Sequence, residues 1–387
     1  IIGLMVREQA LHGRLRLKDF FARRFFRLAP ALGLVVAVWV PLSLFYFDPG
    51  GSVQRVALTG LGAVTGTSNV VVGSVSGGYF DDSTQTNVLM HAWSLSVEEQ
   101  FYVFFALLAG LVYYLFPKKG ILYTLSFISL VSFGLQFLGS LQVLPTFFGS
   151  WFLLDFYSPA IRAWEFGLGG LAYLLRQRLG GRGIKFPRPW IQSVGLLTVV
   201  CSAVLFSSEH SSPELWVMLP VAGTISILLA PSTKDALPGK ILTSVPLRFL
   251  GLISYSFYLW HWPMVVVASR VWPDTSLAPA LAALASIFPS YLSFRFVESK
   301  FRNRKATNWR RGTVSAISFV LIPLVLAIGT WRVSETVAAS LQLDGRADWA
   351  SSLRGCGSFP DQQKTLSDED FVGWVNSCVW NESGSEP

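Results

Sequence analysis

Between His91 and Tyr102 the chain reads His-Ala-Trp-Ser-Leu-Ser-Val-Glu-Glu-Gln-Phe-Tyr, one imidazole and two adjacent carboxylates set directly before the apolar run Phe101 to Phe116. Charged groups at the lip of a membrane span are costly to desolvate and are seldom idle. A helix starting near Val97 makes Ser96-Val-Glu-Glu99 a capping box, with Ser96 as N-cap and Glu99 reaching back to it, so Glu99 has a structural explanation. Glu98 shares a helix face with Phe101, Tyr102 and Phe105 and points toward packed protein. With His91 one or two turns upstream, Glu98 fits either proton transfer or a satisfied ion pair.

Three further groups carry charge or an imidazole into apolar surroundings. Arg23, Arg24 and Arg27 precede the apolar stretch that begins at Leu28, at the spacing of neighbours on one helix. Guanidinium forks this close repel unless an anion answers them, and they suit phosphate oxygens as well as lipid head groups. Arg162-Ala-Trp-Glu165 allows an ion pair at i,i+3, followed by Gly167, Gly169 and Gly170, which permit close helix packing. That pair is either structural or the lining of a cavity. His261 lies in Ser254-Tyr-Ser-Phe-Tyr-Leu-Trp-His-Trp-Pro263, between two tryptophans of the kind that mark membrane interfaces. A lone histidine there fits a hydrogen-bonded structural group as readily as a catalyst. Glu298, at an inner span end, is expected to pair with the bases around it. The sequence holds no Cys/His metal spacing, no phosphate-cradling Gly-rich loop followed by Lys-Ser/Thr and no Gly-x-Ser-x-Gly elbow, so no metal site is expected.

The elements that must position these residues are membrane spans. Of 387 residues, 52% are hydrophobic and 14% charged, and mean hydropathy is +0.48; a soluble domain is typically about 25% charged. Apolar runs at 28–47, 99–116, 121–139, 158–175, 190–207, 215–230, 249–268, 277–297 and 313–331 predict an all-α, polytopic transmembrane bundle of about nine spans. Residues 55–72, apolar but rich in Gly, Thr and Ser, read as an interfacial or re-entrant element. With the N-terminal segment cytoplasmic, the inner loops hold 23 of the 31 Lys and Arg, and the outer loops only Arg55 and Arg270. The net charge of +8 is thus a topology signal and calls for membrane lipid, with no nucleic-acid partner. This topology sets His91–Tyr102 on the outer side, opposite Arg23, Arg24 and Arg27, and the tail 332–387 outside. In that compartment Cys356 and Cys378 are expected to form a disulfide. Cys201, inside a span, is expected to be a packing residue.

Taken together, Gly13-Arg-Leu…Phe-Ala-Arg-Arg-Phe-Phe-Arg-Leu-Ala-Pro-Ala-Leu32, the His91–Tyr102 segment, Arg162-Ala-Trp-Glu165, Ser254–Pro263 and Phe296-Val-Glu298 resemble the acyltransferase 3 family of membrane acyltransferases, in family order over residues 1–311. The resemblance implies transfer of an acyl group, usually acetyl, from cytoplasmic acyl-CoA to hydroxyls of an extracytoplasmic glycan such as O-antigen, peptidoglycan or exopolysaccharide. It implies a bacterial inner-membrane protein, with no metal. Arg24 and Arg27, with Arg23 beside them, match the motif linked to the donor's phosphates. Glu98 matches the family's acidic position and His261 its Trp-His-Trp-Pro signature, so Glu98, His91 and His261 are the catalytic candidates.

Residues 1–311 then form the acyltransferase domain, 312–331 a connecting helix, and 332–387 an extracytoplasmic linker of the branch that carries an SGNH esterase-like domain. The family's catalytic histidine would lie before Ile1, and the Gly-Asp-Ser of an SGNH domain after Pro387. The rival reading is a transporter of a lipid-linked sugar or acyl intermediate, although the sequence does not show paired broken helices in inverted repeats. A third reading is a structural scaffold for an outer domain.

Overall fold

In a computed structural model, the residues described are 2–6, 17–49, 51–75, 87–116, 119–140, 156–181, 190–205, 216–230, 237–302 and 309–352. Among them every regular element is helical. In chain order these are α1 (Leu17–Tyr46), α2 (Ser52–Thr65), α3 (Ser68–Val75), α4 (Ala92–Leu115), α5 (Gly120–Ser140), α6 (Pro159–Gly181), α7 (Trp190–Leu205), α8 (Met218–Leu229), α9 (Leu237–Leu242) and α10 (Val245–Val271). There follow α11 (Ala278–Ala285), α12 (Ile287–Ser293), a π-helical turn (Phe294–Glu298), α13 (Ser299–Arg302) and α14 (Trp309–Ser352).

The described residues of the nine expected spans are mostly helical, but among the described residues six stretches are long and apolar enough to cross a membrane: α1, α4, α5, α10, the stretch Ala278–Arg302 and Ile317–Ser340 of α14. α7 and α8 are shorter apolar helices. A helix rises about 1.5 Å per residue, so over its described residues neither covers the roughly 30 Å of hydrocarbon. The 23 residues of α6 are long enough, but its charges, Arg162 and Glu165 among them, dilute its hydropathy.

Two starting points differ from the sequence reading, and both move charge into helix. α1 begins at Leu17, so Arg23, Arg24 and Arg27 lie on the helix. α4 begins at Ala92 with His91 at its N-cap position, so Ser96 is more than a turn inside and caps nothing. The Ser96 hydroxyl instead bonds the backbone N–H of Ser68 at 3.1 Å and its hydroxyl at 2.7 Å. The capping explanation of Glu99 therefore fails.

Residues 52–75, covering the stretch expected to be an interfacial or re-entrant element, form a helical hairpin. Gly66 closes α2 with φ +75, a left-handed conformation that a side chain would strain. Gln100 donates to the Gly66 carbonyl at 2.8 Å, so the hairpin tip meets α4 more than two turns from that helix's start. Ser68 and Asn69, just after the tip, are satisfied within the bundle by Ser96 and Gln100 of α4.

The main core cluster gathers Val35, Val36, Trp39 and Val40 of α1, Val53, Val56 and Ala57 of α2, Leu259 and Val266 of α10 and Ala327 of α14. α14 thus packs into the core. It approaches α1 at Gly33, where an added Cβ would run into the Phe319 carbonyl. Small residues at such crossings let backbones come close, the usual device of membrane helices. Cys201 is exposed on α7, on surface suited to lipid, and is not a packing residue. Cys356 and Cys378 lie outside the described residues.

Candidate functional site

Two polar layers sit between α1, α4 and α10. The first is built on Arg24. Its Nε donates to Glu99 Oε1 at 3.0 Å, and its terminal nitrogen to Glu98 Oε1 at 3.0 Å. The guanidinium lies 3.3 Å from the centre of the Tyr102 ring, and the Tyr102 hydroxyl donates to Glu98. This corrects the expectation that Glu98 and the arginines stand on opposite sides. Arg24 lies about two turns inside α1 and Glu98 almost two turns inside α4. An arginine at that depth is stable only with carboxylates to answer it.

Tyr255 of α10 reaches across and donates to the Leu28 carbonyl of α1 at 2.9 Å. One residue on, Ser256 donates at 2.9 Å to Glu298, which is 2% exposed and also meets Arg302 at 3.5 Å. Glu298 pairs with a neighbouring base as expected, at the end of the π-helical turn. Arg23 and Arg27 lie four residues apart on α1 and are both exposed. The three arginines therefore divide into one clamped between carboxylates and two facing outward.

The second layer joins the start of α4 to the middle of α10. The His91 and His261 rings stand edge to face with centroids 5.9 Å apart. Nδ1 of His261 lies 2.8 Å from the Tyr258 carbonyl and 3.1 Å from the Phe257 carbonyl. Both partners are acceptors, so Nδ1 carries a proton, and in the neutral ring Nε2 is the nitrogen with the lone pair. The Phe257 ring stacks on the imidazole at 5.5 Å. His91 is 8% exposed, and neither of its ring nitrogens makes a hydrogen bond of normal geometry among the described residues. Burial first and the neighbouring His261 second push its pKa down to about 3, against a weaker pull upward from the Leu259 backbone, so the ring is neutral at ordinary pH.

Glu98 reaches neither histidine. Seven residues of helix, about 10 Å, separate it from His91, and its contacts are Arg24 and Tyr102. Arg162 and Glu165 form a two-pronged pair at 3.0 and 3.2 Å, with the guanidinium 5.1 Å from the Trp93 ring and 5.0 Å from the Phe156 ring. Each prong of the guanidinium is answered by a carboxylate oxygen. The sequence reading places Tyr102 only on the packed face of α4 and gives Tyr255 and Tyr258 no role, although the three hydroxyls join the layers to the helices. Their spacing was the signal: Tyr255, Tyr258 and Trp262 share one face of α10. Among the described residues no group of three or more His, Cys, Asp or Glu gathers that could hold a metal ion.

A family model described as an acyltransferase domain matches residues 10–326. A protein of Komagataeibacter xylinus, provisionally named a membrane-bound transacylase, is 29% identical over 65% of this chain and 60% of its own length. The peptidoglycan O-acetyltransferase OatA of Listeria monocytogenes is 25% identical over 94% of this chain and 60% of its own length. A protein of Staphylococcus aureus strain MRSA252, provisionally named an O-acetyltransferase, is 28% identical over 85% of this chain and 55% of its own length. The chain thus spans between 55% and 60% of these relatives. No solved structure matches it.

Proposed function

The chain belongs to the acyltransferase 3 family, and on that premise we propose that it is a multi-pass O-acyltransferase of the bacterial inner membrane. It takes an acyl group, acetyl in the first instance, from cytoplasmic acyl-CoA and transfers it to a hydroxyl of an extracytoplasmic polysaccharide. A relative named as a peptidoglycan O-acetyltransferase supports a glycan acceptor. The basic bias of the loops supports a cytoplasmic N-terminal segment and an outer C-terminal tail. In this arrangement residues 1–311 form the acyltransferase domain, 312–331 belong to a connecting helix, and 332–387 lie outside.

The observation that carries the reading is the locked imidazole of His261. With Nδ1–H held by two carbonyls, Nε2 takes the proton of the acceptor hydroxyl as that oxygen attacks the acyl carbonyl carbon. The carbon–sulfur bond then breaks, and the proton passes to the thiolate of the departing coenzyme. His91, buried and neutral, lines the same spot. Arg23 and Arg27, being exposed, meet the donor's phosphates, and Arg24 holds that part of α1 in place through Glu98 and Glu99. This reassigns Glu98 from proton transfer to support.

Radiolabelled acetyl transfer from acetyl-CoA to surface polysaccharide, by the full-length protein and by His261→Ala, tests the reading. Wild-type transfer in the variant would remove His261 from the chemistry. A protein that moves a lipid-linked sugar without binding acetyl-CoA would favour the transport reading.

A further inference from the structure

We propose that Tyr258 is a positioning residue for acyl transfer, one that fixes the spacing and orientation of His91 and His261. The inference rests on the reading of His261 as the proton acceptor. Tyr258 is tied to both histidines by backbone and ring contacts at once. Its hydroxyl donates to the His91 carbonyl at 2.5 Å and lies 2.5 Å from the Ser94 hydroxyl. Its own carbonyl accepts from His261 Nδ1 at 2.8 Å. Its ring centre lies 5.2 Å from that of His91 and 5.8 Å from that of His261.

The proton count decides between catalysis and positioning. A tyrosine hydroxyl has one hydrogen to give, and the His91 carbonyl takes it. The Ser94 hydroxyl then donates to the Tyr258 oxygen, leaving its longer alternative, the His91 carbonyl at 3.2 Å, as second best. The Tyr258 hydroxyl thus has no hydrogen left for substrate. What it does is pin the first turn of α4, which carries His91 and Ser94, onto α10, one turn before His261. The orphaned nitrogens of His91 argue the same way. A ring without a hydrogen bond of normal geometry is oriented chiefly by what holds its backbone and by the rings packed against it. Proton transfer tolerates little displacement, and an ångström of misplacement can cost about a hundredfold in rate.

Phenylalanine keeps the ring packing and deletes only the link. The test is steady-state transfer by the full-length protein in native membranes, with acetyl-CoA as donor and cell-envelope polysaccharide as acceptor. Tyr258→Phe, Ser94→Ala and His261→Ala are compared, each rate corrected for folded protein by thermal unfolding. Tyr258→Phe is expected to lower kcat by about tenfold while KM for acetyl-CoA stays within about twofold. Ser94→Ala moves kcat in the same direction by less. Wild-type kcat per folded Tyr258→Phe protein beside an inactive His261→Ala overturns the positioning role and leaves the reading of His261 standing. Wild-type transfer by His261→Ala overturns both.

Discussion

Arg24 of α1 and Glu98 of α4 hold each other at 3.0 Å well inside the bundle, with Glu99 on the same guanidinium and the Tyr102 ring beneath it. Arg24 has 10% of its side chain exposed, against 33% and 39% for the two carboxylates. The cation is thus the buried member, and its loss leaves two adjacent negative charges with no answer. We predict that Arg24→Ala destabilises the protein by about 2–3 kcal/mol, at or below the usual range for breaking a buried pair because both carboxylates are part-exposed. Adding Glu98→Gln and Glu99→Gln to Arg24→Ala should restore most of the loss, since the uncompensated charge is then gone. Thermal unfolding in detergent measures both. A triple variant no more stable than the single one would show that charge compensation is not the reason these residues meet.

Arg23 and Arg27 predict a different phenotype. Both are exposed on α1, so replacing them should leave unfolding temperatures close to wild type. If they meet phosphates, Arg27→Ala raises KM for acetyl-CoA by about tenfold with kcat little changed, the loss of one charge-assisted hydrogen-bond partner. Arg27→Lys keeps the charge, loses the fork and should fall between. A kcat defect at unchanged KM would move Arg27 out of donor binding.

Much of the site could be read from residue types, and what could not has a physical reason. The charged and imidazole-bearing motifs stood out because each is expensive in an apolar chain, and the structure brings Arg24 to Glu98 and His91 to His261. Depth was misjudged. The apolar run of the first span begins at Leu28, but the helix begins at Leu17. Hydropathy marks where lipid solvates a helix, and an arginine neutralised by carboxylates on another helix does not register in it. Ser96 misled similarly: Ser-x-x-Glu marks a helix start only when no turn precedes it, and α4 already runs from Ala92. The partners of Tyr255 and Tyr258 were not legible for another reason. Nothing in a sequence says which carbonyl a buried hydroxyl will find, and Tyr255 and Tyr258 bond carbonyls of α1 and of the segment leading into α4.

Gly33 offers a test of the packing that supports both layers. A Cβ there meets the Phe319 carbonyl and comes within 3.3 Å of Pro323 Cγ, and backbone cannot step aside as a flexible side chain can. Gly33→Val should therefore force α1 and α14 apart, costing about 2 kcal/mol or more, as overpacking of a close crossing does. Gly134 of α5 has nothing within 4 Å of its added Cβ, so Gly134→Ala should be neutral or slightly stabilising through helix propensity. Unfolding temperatures of the two variants are compared directly. Equal behaviour would mean that α14 does not press on α1 as closely as the structure has it.

Acid should find His91. In the folded chain its pKa is pushed down to about 3 from an ordinary value of 6.5. The titratable groups facing it from α10 are His261 and Tyr258, and the hydroxyls of Tyr258 and Ser94 bond around its carbonyl. Between those two pH values the unfolded chain binds a proton at His91 that the folded chain refuses. Lowering the pH through that window therefore favours unfolding, and the contribution of the neutral ring is complete only above 6.5. We predict that stability is flat with respect to this group above pH 6.5 and declines from there toward pH 4. His91→Asn, which cannot take up a proton, should flatten that decline even if its stability at pH 7 is lower. Unfolding temperatures of wild type and variant from pH 4 to pH 7.5 decide the matter, because the difference between the curves cancels the carboxylates common to both. Parallel curves would mean that His91 is protonated as easily in the folded protein as in the unfolded one.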